Sequence, residues 1–255
     1  MLINSMLMLA TAALSMASPI ARRQRGSCNI STPPYVADIP TLPVTGGDIE
    51  LPRPAGNMTL KNILLGFGIQ NYTCVSGGAD PTATGALAML YDITPLYPGQ
   101  SGSSLSQEAF DNLVSSALNN HELPINIIKP PQEGQLTPGA DIRAPFPDGA
   151  PLQLEGLEPI PFVGHHTFNG EGVPHFEYND VNLLAKKLDA VDAPAGSDAG
   201  PDDTGAVAWL YLGADEGSVG AKAVYRVHTA GGNSHGCGGV GSDSTSYATM
   251  YWFYN

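Results

Sequence analysis

Apolar residues fall into short runs separated by turn residues along most of the chain. The runs are rich in β-branched and aromatic residues and are bounded by glycine, proline and threonine, a pattern typical of strands. Strands are predicted at residues 62–74, 86–93, 162–168, 173–178, 206–212, 222–229 and 246–254. A further run at 181–188 fits a strand or a short helix equally well, so the expected total is seven or eight.

One segment has helical periodicity instead. Residues 106–120 place apolar side chains on one helix face, at Phe110, Leu113, Val114, Ala117 and Leu118. Ser104 and Gln107 predict a capping box at its start. The proline-rich residues 129–161 show no periodicity and predict an inserted loop. The whole pattern predicts an all-β fold, a mostly antiparallel β-sandwich or barrel with one amphipathic helix in an insertion.

The runs at 162–168 and 173–178 predict a β-hairpin. Asn169-Gly170 between them favours the positive φ angles of a two-residue turn. Pro174 lacks the N–H group that a central strand uses, so we expect the second strand at the edge of its sheet.

The composition supports this interpretation and excludes one class of function. Glycine and proline contribute 30 and 22 of the 255 residues, and charged residues only 14%. Such a chain is rich in turns and poor in helix. The formal net charge of −13 opposes binding to phosphate backbones, which requires clustered lysine and arginine. Nucleic acid is therefore not an expected partner.

The first 58 residues predict targeting segments and an arm. The apolar run at 6–17 is too short to cross a membrane and ends in small residues, which indicates a signal peptide at 1–17. Arg22-Arg23 and Arg25 indicate a propeptide at 18–25. The proline-rich residues 26–58 predict an extended arm before a single β domain at 59–255. No later run approaches the length of a membrane helix, so we expect a secreted, extracellular protein without a membrane anchor.

Sequons and cysteines fit that route. Glycosylation is expected at one or more of Asn29, Asn57 and Asn71. The cysteines are Cys28, Cys74 and Cys237, an odd number that allows one disulfide. We favour the Cys74–Cys237 pair because each of these residues closes a strand-like run and because the bridge would close a long loop.

Candidate catalytic groups are concentrated around the predicted hairpin. They are His165, His166, His175, Glu177 and Asp180, with His228 further along the chain and Asp92 as another carboxylate. Adjacent strand residues point to opposite faces, so His165 and His166 cannot both line one metal site without a bulge. The spacing of His228, His235 and Cys237 is better explained by a disulfide loop than by metal ligands. We therefore expect no metal site.

The sequence contains an incomplete dinucleotide-binding motif and lacks the motif of serine hydrolases. Gly66-Phe67-Gly68 after an apolar run resembles the start of a dinucleotide-binding fingerprint, but Asn71 occupies the third glycine position and turn residues follow. No serine has the G-x-S-x-G context of a hydrolase. We expect neither a nicotinamide cofactor nor any other cofactor.

The last predicted strand is unusually aromatic. Tyr247, Thr249, Tyr251 and Phe253 point one way, and Ala248, Met250, Trp252 and Tyr254 the other. Packing of a central strand explains this pattern. The alternative is a ligand-binding face, with Tyr247, Tyr251 and Phe253 as candidate contacts.

Six runs occur in a characteristic order, and the chain resembles a known family through them. They are LLGFGIQNYTC (64–74), GALAMLYDIT (85–94), VGHHTFNGEGVPHFEY (163–178), GAVAWLYL (205–212), VYRVHTAGG (224–232) and SYATMYWFY (246–254). Together they resemble a family of secreted fungal proteins, with bacterial relatives, that has no established function and often carries an automatic malate dehydrogenase label. Thr167 departs from the aromatic residue of that family's G-x-H-[YF]-F run.

The dehydrogenase label disagrees with the chemistry of the chain. A dicarboxylate dehydrogenase needs arginines for two carboxylates, a histidine–aspartate pair and a nucleotide-binding domain. Beyond residue 25 the arginines are Arg53, Arg143 and Arg226, and no nucleotide-binding pattern is present. We therefore reject dehydrogenase activity.

Two hypotheses of function follow from the sequence. The first is a secreted, non-catalytic β domain that binds a cell-wall glycan, a small apolar ligand or a host surface. The second is an extracellular enzyme that acts on a polysaccharide or a small metabolite with the histidines and carboxylates named above.

Overall fold

The computed structural model describes residues 39–255. The expected signal peptide and propeptide, together with Cys28 and Asn29, lie outside these residues. The strands are β1 (Leu60–Cys74), β2 (Thr82–Asp92), β3 (Ile127–Ile128), β4 (Gly139–Ala140), β5 (Phe162–Phe168), β6 (Pro174–Tyr178), β7 (Val181–Val191), β8 (Trp209–Ala214), β9 (Ala223–Gly231) and β10 (Gly241–Tyr254). The α-helices are α1 (Gln107–Asp111) and α2 (Leu113–Asn120), and a 3-10 turn covers Thr94–Leu96.

Eight of these strands form a closed antiparallel barrel. They pair in the order β1, β10, β9, β8, β7, β6, β5 and β2, and β2 pairs again with β1. Strands β3 and β4 form a separate two-stranded sheet. The expectation of an all-β, mostly antiparallel fold is confirmed, and a barrel rather than a sandwich is formed. The ambiguous run at 181–188 belongs to a strand, β7.

Both faces of β10 and of most of β1 are buried, which explains the apolar character of these strands. Tyr251 and Phe253 of β10 pack inside the barrel with Leu64, Leu90 and Phe176, which come from other strands. The alternate residues of β10 face outward and join a second core with helix α2, through Ala248, Met250, Trp252 and Tyr254. The two faces of the last strand are therefore those expected from its alternation.

The outer core is covered by the two helices and by the proline-rich arm. Leu42 and Leu51 of the arm are buried in the outer core. The Tyr225 hydroxyl donates a hydrogen bond of 2.9 Å to the Pro52 carbonyl and so ties the arm to β9. Phe110 of α1 packs edge-on against Tyr97 with ring centroids 5.2 Å apart. This layer leaves the ends of the barrel as the routes to its interior.

The helix differs from its prediction in two details. It is interrupted at Asn112, which has a ψ of −1° and ends α1 while starting α2. Its cap is Ser106, whose side chain accepts a hydrogen bond from the Ala109 N–H. The capping box expected from Ser104 is wrong because the Ser104 hydroxyl already accepts hydrogen bonds from the Gln100 and Ser101 amides.

The β5–β6 hairpin forms, but its turn and its position were wrongly predicted. The Asn169 side chain accepts hydrogen bonds from the Glu171 and Val173 amides, which widens the turn. The positive φ angle, 78°, belongs to Gly172. Pro174 is not on an edge strand, since β6 pairs with both β5 and β7. It is the first residue of β6, where a missing N–H group is tolerated.

The structure forms the Cys74–Cys237 disulfide, the pair favoured from the sequence, with the two Cα atoms 5.4 Å apart. Cys74 is the last residue of β1, whereas Cys237 lies in the loop before β10. Within residues 39–255, none of the helices has the length and apolar character needed to cross a membrane.

Candidate functional site

A pocket of about 600 Å³ opens into one end of the barrel. This is the end that carries the β5–β6 turn, whereas Tyr178, Val181 and Phe253 fill the interior towards the other end. The volume is typical of a site for a small molecule. Its apolar wall consists of Phe168, Val173, Pro174, Phe176, Ala185, Leu210 and Leu212.

Arg226 of β9 supplies a positive charge to this pocket. It is half-buried, and its register neighbours are Leu210 of β8 and Tyr251 of β10, two other pocket residues. Its Nε and Nη2 atoms both donate to the Ala208 carbonyl, at 3.1 and 2.8 Å. The backbone therefore fixes one edge of the guanidinium inside the barrel mouth.

His166 of β5 provides a neutral acceptor in the pocket. Its Nδ1 atom lies 3.0 Å from the His175 carbonyl oxygen, so Nδ1 carries the hydrogen and Nε2 is left as an acceptor. The ring stacks on Phe176 with a centroid distance of 4.0 Å. Burial lowers the pKa of His166 to about 3, so the ring stays uncharged near neutral pH.

Tyrosine hydroxyls complete the polar part of the site. The Tyr251 hydroxyl lies 3.1 Å from that of Tyr247 on the same strand. The Tyr72 hydroxyl donates to the Gly232 carbonyl at 2.7 Å, and burial raises the pKa of Tyr72 to about 12. Burial also raises the pKa values of Tyr247 and Tyr251. All three hydroxyls therefore stay protonated near neutral pH.

The glycines that imitate a nucleotide fingerprint have a structural role beside this site. A Cβ atom on Gly66 would come within 2.5 Å of the Tyr251 ring. Gly66 thus leaves the space that Tyr251 occupies in the barrel interior. The segment after it continues as strand β1, with no helix to bind a pyrophosphate.

The candidate catalytic residues from the sequence do not converge on one site. His166 lies in the pocket, but His165 points outward and packs against Phe146 at a centroid distance of 4.2 Å. His175 and Glu177 lie on the outer side of β6, with Nδ1 and Oε2 3.8 Å apart. The other candidates bind separate partners: Asp180 binds Lys61, Asp92 binds Thr94, and His228 lies 3.4 Å from Asp111.

The candidate ligand contacts of β10 are also divided. Tyr251 lines the pocket, Tyr247 packs beside it with Ala86, Ala88 and Phe168, and Phe253 packs at the filled end of the barrel. Among residues 39–255, no group of three or more histidine, cysteine or carboxylate side chains is placed to hold a metal ion.

Sequence reasoning missed Arg226, Gln70 and Lys187, which also line the pocket. One signal was present for Arg226. It occupies an alternate position in a run of otherwise apolar strand residues, AVYRV, where a buried strand carries a charge only for a specific reason. For Gln70 and Lys187 the sequence offers no comparable signal.

A second polar cluster lies around Asp243, near the disulfide. This carboxylate is 1% exposed and accepts hydrogen bonds from Thr137 Oγ1, Ser234 Oγ and both the backbone N–H and Nδ1 of His235. The aspartate–histidine pair resembles part of a catalytic triad, but Ser234 binds the carboxylate and not the free side of the imidazole. The cluster therefore fastens the loop that carries Cys237.

Comparison with known proteins gives a family and no activity. A family model with the description "Protein of unknown function (DUF3455)" matches residues 54–255, which include every barrel strand and both helices. Neither the curated proteins nor the solved structures contain a match.

Proposed function

The chain belongs to this family of proteins of unknown function, and we propose that its barrel is a non-catalytic binding protein for a small molecule. The observation that carries the proposal is the pocket of about 600 Å³ in the barrel mouth. Apolar walls with a few fixed polar groups are the usual construction of a small-molecule site.

The placement of the aromatic residues favours a small ligand over a cell-wall glycan or a host surface. A glycan-binding face would present exposed tyrosine and tryptophan rings to the sugar. Here Tyr247, Tyr251 and Phe253 are at most 1% exposed, and Trp209 and Trp252 are buried in the outer core. A ligand reaches Tyr251 only by entering the barrel.

The pocket chemistry favours binding over catalysis. The Nδ1–H of His166 is committed to a backbone carbonyl, and the low pKa of its ring makes it a weak base near neutral pH. The raised pKa values of Tyr72 and Tyr251 make them weak acids. Asp215 is the one carboxylate in the pocket lining, and it pairs with Lys186. Asp243, the buried carboxylate opposite Tyr72, is occupied by hydrogen bonds from Thr137, Ser234 and His235.

The proposal is tested with the neutral fluorescent probe N-phenyl-1-naphthylamine. We expect saturable enhancement of fluorescence at one probe per chain. Ala83 is exposed at the pocket mouth, so Ala83→Trp should block entry and weaken binding by about tenfold or more. Thr82→Trp is the matched control, because Thr82 is exposed on the same strand but does not line the pocket.

Two outcomes would overturn the proposal. One is an absence of saturable binding, and the other is equal binding by the wild type and both variants. Mass spectrometry of the recovered probe and of any natural ligand extracted from the purified protein tests for turnover. A chemically changed ligand would favour the enzyme hypothesis.

We further propose that the protein works outside the cell. Its disulfide is of the kind that forms in oxidising compartments. Asn57 is exposed in a turn, whereas Asn71 is half-buried in β1 and accepts a hydrogen bond from Ser244. Intact-mass analysis of the secreted protein, before and after enzymatic glycan removal, should show a glycan at Asn57 and none at Asn71.

A further inference from the structure

We propose that the pocket selects an organic anion, namely a carboxylate with an apolar body, whose charged end binds the guanidinium of Arg226. This inference rests on the proposed small-molecule function and names its ligand class. It depends on the geometry of Arg226, on the missing counter-ion and on the distribution of charge over the molecule.

The guanidinium is held in place but is not saturated. The Nε–H and one Nη2–H are used on the Ala208 carbonyl, and the Arg226 side chain also hydrogen-bonds to Tyr251, which leaves two of its five N–H groups for a ligand. A carboxylate is a stronger acceptor for a guanidinium than a tyrosine hydroxyl, because its hydrogen bonds are charge-assisted. The contact with Ala208 fixes the orientation of the guanidinium before a ligand arrives.

Arg226 has no counter-ion within the part of the chain that the structure describes. The ion pairs there involve other basic side chains, and Asp215 of the pocket lies 3.4 Å from Lys186. A half-buried charge without a partner is costly, and a ligand carboxylate would relieve that cost. The charge acts across the pocket: burial raises the pKa values of Tyr72 and Tyr251, and Arg226 opposes that rise, whereas at His166 burial lowers the pKa and Arg226 lowers it further.

The distribution of charge reinforces the preference for an anion. The whole chain has a net charge of −13, yet Lys186, Lys187 and Arg226 all line this one pocket. Only one carboxylate, Asp215, accompanies them in the lining. The pocket is therefore locally basic in an acidic protein, a contrast that favours an anion at this position.

The remaining wall specifies an apolar body for the ligand. Phe176 is fully buried beneath His166, and Ala185 and Leu212 are buried beside it. Water released from such a surface contributes the hydrophobic part of binding. A small, fully hydrated dicarboxylate would gain little from these contacts, whereas a carboxylate on a hydrocarbon chain or ring gains from both parts of the site.

Competition against bound N-phenyl-1-naphthylamine tests the inference with decanoate, decanol and decylamine, which share one chain and differ in the head group. We expect decanoate to displace the probe at concentrations about tenfold or more below those of decanol. Decylamine should be the weakest competitor. Added salt should weaken decanoate and leave decanol unchanged, a comparison that needs no variant.

Variants assign the selectivity to one residue. Arg226→Gln should remove the preference for decanoate over decanol, measured against the affinity of that variant for the probe, and Arg226→Lys should keep part of it. Lys222→Gln is the charge-matched control, because Lys222 is exposed and does not line the pocket. Circular dichroism and probe binding report whether each variant is folded.

The outcomes separate this inference from the proposed function. Probe binding with equal competition by decanoate and decanol overturns the anion preference and leaves a neutral-ligand pocket. A preference that survives in a folded Arg226→Gln variant overturns the role of Arg226. An absence of probe binding in the wild type overturns the proposed function itself.

Discussion

Asp243 shows how one buried residue can control a loop. Its carboxylate accepts hydrogen bonds from Thr137, Ser234 and His235 within a site that is 1% exposed to solvent. Replacing Asp243 by asparagine removes the negative charge and places an amide NH₂ group, a hydrogen-bond donor, next to groups that themselves donate. We expect Asp243→Asn to lower the free energy of unfolding by about 3 kcal/mol, as measured by urea denaturation.

The pH dependence of stability provides an independent check on the role of Asp243. Burial alone would raise the pKa of Asp243. The hydrogen bonds from Ser234 and His235 lower the pKa by more than burial raises it, so the pKa lies below its usual value. A lowered carboxylate pKa stabilises the fold above the unfolded pKa and loses this effect as pH falls through the folded one. Asp243→Asn should show less acid destabilisation than the wild type. Asp148→Asn, at an exposed position, should change stability by less than about 0.5 kcal/mol.

Gly68 marks a place where two strands approach too closely for a side chain. A Cβ atom there would overlap the Leu87 carbonyl of the adjacent strand β2. Backbone atoms cannot move aside as a flexible side chain can, so Gly68→Ala should destabilise the protein by about 3 kcal/mol. Gly170 has open space around its Cα, and Gly170→Ala in the β5–β6 turn should change the thermal midpoint little. Equal midpoints for the two variants would contradict the close approach.

Among the larger elements, the disulfide links the end of β1 to the loop before β10. The bridged residues are 163 positions apart. Loop closure in the unfolded chain predicts a stabilisation of about 5 kcal/mol from a cross-link of this length. We expect the Cys74→Ser/Cys237→Ser double variant to lose about that much unfolding free energy. The comparison should be made in a Cys28→Ser background, so that thiol exchange does not contribute.

At the level of single elements, the local sequence pattern was sufficient to predict the structure where one interaction dominates. The alternation in β10 was predicted because each of its faces packs against a different apolar layer. The turn after Phe168 was not, because the Asn169 side chain captures amides that a two-residue turn leaves free. The edge position inferred from Pro174 was wrong for a non-local reason, since closure of the barrel gives every one of its strands two neighbours.

The candidate site was predicted in part for the same reasons. Tyr251 and His166 were singled out by residue type and strand position, and both line the pocket. His165, His175 and Glu177 were grouped with His166 by closeness in sequence, but the alternation of the strands places them on the outer face. Arg226 joins the site through pairing of β9 with β8 and β10, a relationship between distant segments that spacing along the chain does not encode.

For the whole molecule, buried titratable groups determine the pH range of stability. Burial lowers the pKa values of His165, His166 and His228 and outweighs the opposing effects of Glu177, the His175 carbonyl and Asp111, respectively. A histidine whose folded pKa lies below its unfolded value stabilises the fold above about pH 6.5 and loses this effect as pH falls. Acidic conditions should therefore weaken the fold well before the carboxylates are protonated.

The buried tyrosines set the upper pH limit of stability, because burial shifts their pKa values upwards and not downwards. Burial raises the pKa values of Tyr72 and Tyr91 to about 12. A raised folded pKa stabilises the fold below the unfolded value and loses this effect as pH rises above about 10.

We expect unfolding free energies from urea titrations to form a plateau from about pH 6.5 to about pH 10. Titrations in 0.5 M sodium chloride would screen the general repulsion of a chain with net charge −13. On the acidic side, His166→Asn should reduce the slope by up to about 1.4 kcal/mol per pH unit, the contribution of one fully buried group. A stability maximum near the isoelectric point of 4.6 at this salt concentration would show that net charge, and not the buried groups, controls the pH range.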